Sequence, residues 1–96
     1  MAIDNKKIAA EILSVLLKLN SQDSDGAVIC STAIAEKMEA DYDYASFGVE
    51  ANTARANAWF ALARLAGALT YNPATPDRER LQTAAITNVE RWCLVA

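Results

Sequence analysis

Apolar residues recur at Ala54, Ala58, Ala61, Leu62, Leu65 and Leu69, a spacing that lays them along one side of an α-helix. This stripe constrains the chain more than any other feature, because a buried helical side needs a partner surface of similar length. Alanine supplies strong helix propensity through the same stretch. The front is different in character: Asn52, Thr53, Arg55 and Asn57 can all hydrogen-bond. Asn52 is placed to cap this helix, and Gly67 to mark its end. ALTY, residues 68–71, then has the composition of a strand, stopped by Asn72-Pro73. Trp59 and Phe60 are neighbours about 100° apart on a helix, so at least one faces away from the main stripe.

The preceding half offers two shorter helices. Asp4 is an N-cap for a first helix carrying Ile8, Ile12, Val15, Leu16 and Leu19, with Leu13 and Leu17 widening the buried side. The segment SQDSDG (21–26) is a loop by composition, and AVIC (27–30) is a short strand. Ser31 or Thr32 caps a second helix running to about Ala40, and the aromatic-rich DYDYASFG follows as an irregular segment. At the other end, Thr75, Pro76 and Asp77 form a good helix start, yet TAAIT (83–87) is weakly periodic and suits a hairpin arm equally. VERWCLVA (89–96) alternates as a strand, with Val89, Arg91, Cys93 and Val95 on one face and Glu90, Trp92 and Leu94 on the other.

Ninety-six residues, 53% of them hydrophobic and 22% charged, describe one folded domain, 1–96. No apolar run reaches the roughly 18 residues a bilayer requires, and Met1–Asn5 lacks the basic start of a signal peptide, so a cytoplasmic location is expected. The chain has no histidine, which removes the commonest general base and metal ligand. Cys30 and Cys93 form no C-x-x-C pair and read as two small buried residues. Glu36, Glu39, Asp41 and Asp43 read as a solvated acidic face, with no calcium-loop pattern among them. No enzyme activity, catalytic residue, metal or cofactor is expected.

Net charge is −3, but its distribution is uneven. Residues 1–50 hold nine acids and four lysines; residues 51–96 hold three acids and all five arginines, Arg55, Arg64, Arg78, Arg80 and Arg91. The planar guanidinium suits phosphates and base edges better than lysine does.

The element order, helix, short strand, helix, helix, strand, loop, strand, resembles the winged helix-turn-helix family. STAIAEKM (31–38) is similar to the positioning helix of many bacterial regulators. The pattern Val49, Asn52, Thr53, Arg55, followed by ALARL at 61–65, resembles the recognition helix of GntR-type winged helices. The resemblance implies an α+β fold, mainly α: three helices and a small antiparallel sheet, with residues 76–87 either a fourth helix or part of the wing. It implies that the first strand lies beside the last, bringing Cys30 next to Cys93. It also implies a small transcriptional regulator that binds double-stranded DNA as a homodimer. Thr53, Arg55 and Asn57 would face the major groove, Asn52 would cap the helix and reach a phosphate, and Arg78 and Arg80 would hold the backbone.

Each of these residues has a plainer reading beside it. Arg55 and Asn57 can form an ordinary solvated helix face, residues 77–80 can neutralise one another, and Arg64 can pair with an acid of the N-terminal half. The second functional expectation is an acidic protein-interaction module or inhibitor on the same fold, of the anti-CRISPR-like kind that phages and mobile elements encode. Its nine acids in residues 1–50 would meet a partner with a basic surface.

Overall fold

In the computed structural model, the described residues are 5–19, 33, 34, 36 and 48–96. They form three long helices: α1 (Asn5–Leu19), α2 (Val49–Tyr71) and α3 (Arg78–Val95). Among the described residues there is no strand. The expected α+β winged fold is therefore corrected to a small helical domain. Residues 33, 34 and 36 are helical and Ile34 is buried, inside the expected second helix. The strand expected at 27–30 lies outside the described residues, as do Cys30 and nearly all of the aromatic-rich segment.

The two strands expected near the C-terminus are continuations of helices, and packing explains why. ALTY extends α2 because Leu69 continues the stripe of Ala58, Leu62 and Leu65, and all four are essentially inaccessible to solvent. Gly67 lies on the exposed side of α2, where its weak helix propensity costs only about 1 kcal/mol and ends nothing. The stop comes at Asn72, which is extended at φ −145°, ψ 95°. Pro73 forces that geometry, since its ring clashes with a helical residue before it.

VERWCLV ends α3 rather than forming a strand. Gln82, Ala85, Val89 and Trp92 are all buried, a spacing of three and four that alternation by two cannot produce. Val89 and Trp92, expected on opposite faces, share one side, and Leu94 is left 86% exposed. Residues 76–87 are accordingly neither wing nor separate arm; from Arg78 on they belong to α3.

Six residues, Asn72–Asp77, turn the chain between α2 and α3. Asn72 organises the turn: its carbonyl accepts from the Thr75 N–H at 2.9 Å and its Oδ1 from the Ala74 N–H at 3.2 Å. The Thr75 hydroxyl accepts from the Asp77 N–H at 3.2 Å, so Thr75 caps the turn ahead of a helix that starts three residues later.

α3 is the central element, packing on both α1 and α2. Residues of early α2 and late α3, Glu50 and Val95 among them, line a common depression, so these two helices are antiparallel. α1 also opposes α3: Gln82 reaches Leu16, while Lys6 acts electrostatically on Cys93. Ala9, Ile12 and Leu16 supply the buried side of α1. Leu17, expected to widen that side, is 53% exposed.

Gln82 is the one buried polar residue of the described core, and its Nε2 donates to the Leu16 carbonyl at 3.1 Å. Leu16 begins the last turn of α1, where carbonyls run out of N–H partners inside the helix. A buried carbonyl deprived of its donor costs about 1–3 kcal/mol, whereas the intact bond contributes less than that. The Gln82→Met protein, similar in shape without the amide, should lose about 1–3 kcal/mol in urea unfolding, with an unchanged denaturant slope. Two glycines should respond in opposite directions. Gly48 precedes α2 at φ 86°, ψ 164°, so Gly48→Ala should destabilise by about 1–3 kcal/mol. A Cβ at Gly67 would meet nothing within 4 Å, and Gly67→Ala should stabilise by about 0.5–1 kcal/mol in the same measurement.

Candidate interaction surface on the helical hairpin

α2 begins at Val49, not Asn52, and this shift of one turn changes what its polar front can do. The Asn52 N–H already bonds to the Gly48 carbonyl at 3.0 Å, so Asn52 lies within the first turn and caps nothing. Its side-chain Oδ1 is buried and accepts no hydrogen bond among the described residues. Thr53 is exposed, but its hydroxyl donates back to the Val49 carbonyl at 2.9 Å. Arg55 is half-buried, its guanidinium carbon 4.5 Å from the centroid of the Trp59 ring. This cation–π contact contributes about 0.5–1 kcal/mol and holds Arg55 on the Trp59 flank of α2.

Helical phase separates the expected site residues further. Asn52, Arg55 and Trp59 follow one flank of α2, whereas Thr53, Asn57, Phe60 and Arg64 follow the other. Of the six expected DNA-binding residues, Asn57 and Arg80 meet in one groove between α2 and α3. Thr53 lies on its continuation, in a depression shared with Asn57 and Arg91. Arg78 is half-buried at the interhelical turn, beside Pro76 and Gln82. The six therefore do not form one surface, and the wing that would have carried Arg78 and Arg80 is a helix.

The groove has a volume of about 490 Å³, with Phe60, Arg64, Leu81 and Asn88 also in its walls. Phe60 is 69% exposed, large for an aromatic ring on a helix. Arg64, expected to pair with an acid of the N-terminal half, has no carboxylate partner among the described residues, and neither does Arg91. Arg80 pairs with Asp77 at 3.6 Å, one turn back and largely in solvent, an arrangement that contributes at most about 1 kcal/mol. Glu50 lies near one end of this face and Asp77 near the other, with three arginines between them. Sequence reading offers the exposed member of the Trp59–Phe60 pair only as a dimer contact, and Arg64, Asn88 and Arg91 not at all as site residues, because a front-of-helix site excludes them. The spacings 57–60–64 and 80–84–88–91 carry the signal once both segments are known to be helices.

Among the described residues no group of three His, Cys, Asp or Glu side chains is placed to hold a metal, and no helix is long and apolar enough to cross a membrane. Cys93 is a free thiol on α3, so the expected strand pairing with Cys30 is also corrected. Burial, and secondarily the Glu90 carboxylate, raises its pKa above that of an ordinary thiol. With less thiolate at a given pH, Cys93 in a Cys30→Ser background should alkylate with iodoacetamide more slowly than an unhindered thiol near pH 8, and urea should abolish the difference. Comparison of the chain with protein-family models, curated proteins and solved structures gives no match.

Proposed function

We propose that this chain is a non-catalytic protein-interaction module, an adaptor or inhibitor, whose contact surface is the α2–α3 face containing Phe60, Arg64, Arg80 and Arg91. The observation that carries the reading is the coincidence of an exposed aromatic ring with Arg64 and Arg91, which have no carboxylate partner among the described residues. Aromatic and arginine side chains are enriched where proteins bind tightly: a ring offers large contact area at small entropic cost, and a guanidinium offers charge with five donors in a planar fork. The free thiol at Cys93 suits the reducing cytoplasm. The contact surface proposed here is the cationic one on the second half of the chain; most of the nine acids of residues 1–50 lie outside the described residues.

Binding of duplex DNA is the second reading, favoured by the alignment of Arg64, Arg80 and Arg91 along one face. It has less support. A net charge of −3 opposes approach to a polyanion, and a groove between helices does not project a rod into the major groove. Photo-crosslinking separates the two. A benzophenone side chain at position 60, in the native host, should give a discrete protein adduct that disappears when Arg64 and Arg91 become glutamate. Recovery of DNA instead, with an affinity slope near −0.9 per phosphate against log salt, would replace the first reading by the second.

A further inference from the structure

We infer that the α2–α3 groove receives an acidic segment of a partner protein, its carboxylates on Arg64 and Arg80 and an aliphatic side chain against Phe60 and Leu81. This inference rests on the protein-interaction reading and supplies the chemistry of the partner. Charge complementarity selects the occupant. Arg64 on one wall is exposed without a carboxylate partner among the described residues, and Arg80 on the other holds Asp77 across a solvent-exposed 3.6 Å contact that an incoming carboxylate can replace. Arginine takes a carboxylate in two parallel hydrogen bonds, which fixes orientation as well as charge.

The two asparagines narrow the choice to a polypeptide. The Asn88 Nδ2 donates to the Ala84 carbonyl at 2.8 Å, leaving its oxygen as the acceptor available to a ligand. The Asn57 amide is exposed and offers both donor and acceptor. A peptide backbone brings N–H groups as well as carbonyls to such a pair; a phosphodiester backbone brings only acceptors. The exposed ring of Phe60 and the half-buried Leu81 give an apolar side chain a place to lie.

A second copy of the chain fits less well. In a two-fold contact through this face the arginines of one copy would meet those of the other. A head-to-tail contact between the basic face and the acidic first half would build a ring or a filament rather than a discrete pair.

The test is a titration of the full-length, nitrogen-15-labelled chain, followed by NMR, with three probes: a short synthetic peptide carrying two leucines among glutamates, its glutamine-for-glutamate counterpart, and a short DNA duplex. The glutamate peptide should shift the side-chain signals of Asn57, Asn88, Arg64 and Arg80 and bind at least tenfold more tightly than the glutamine peptide. Arg64→Glu with Arg80→Glu should abolish those shifts while helical circular dichroism is retained; should that pair unfold, Arg64→Gln serves, with an expected severalfold loss. Equal binding of both peptides, shifts confined to other surfaces, or displacement of the peptide by the duplex would each overturn the inference. A protein adduct at position 60 together with an indifferent groove would reject the acidic chemistry alone. No protein adduct and no groove shifts would reject both.

Discussion

α3 has a neighbour on each of two sides, and its buried residues Gln82, Ala85, Val89 and Trp92 must satisfy both contacts at once. The rest of the architecture follows from that constraint. Ala85 and Val89 leave room for helices to approach closely, while Trp92 fills volume toward the far end. Gln82 solves a local problem of a different kind. One amide ties the last turn of α1 to the first turns of α3, so the two helices have a preferred register as well as a shared apolar surface. Greasy stripes alone would let α1 slide; a directional bond does not.

Much of the helical content was readable from the residues. The stripe from Ala54 to Leu69 and the first helix stand where their spacing put them. What failed was the treatment of segments whose local composition favours strands. Val89, Trp92 and Val95 are good strand formers, and their alternation with polar residues matches a strand as well as a helix over so short a window. The decision between them is made by tertiary contact: Val89 and Trp92 are buried together because α1 and α2 both pack on α3, and nothing in residues 89–96 alone records that. The wing fell with the strands, and with it the strand that was to carry Cys93; Cys30 lies outside the described residues.

The candidate site was legible in part for the same reason. Asn57 and Arg80 were singled out from a resemblance, and they do share a groove, but the companions that give it a chemistry came from a face nobody would draw without knowing that 78–95 is a helix. Arg55 shows the converse. Its type and position suited recognition, and Trp59 one turn later draws it to the flank of α2 away from the groove. Whether an arginine is available depends on its neighbours at three and four residues.

The short connection between α2 and α3 has a kinetic corollary. Both walls of the groove come from residues 49–95, joined by a turn of only six residues, so the contacts that build it are near in sequence and incur little loop-closure entropy. A chain of this design can complete its recognition surface as soon as the hairpin closes. Docking of α1, whose Leu16 meets Gln82 across a separation of 66 residues, then serves to prolong the lifetime of a surface already assembled.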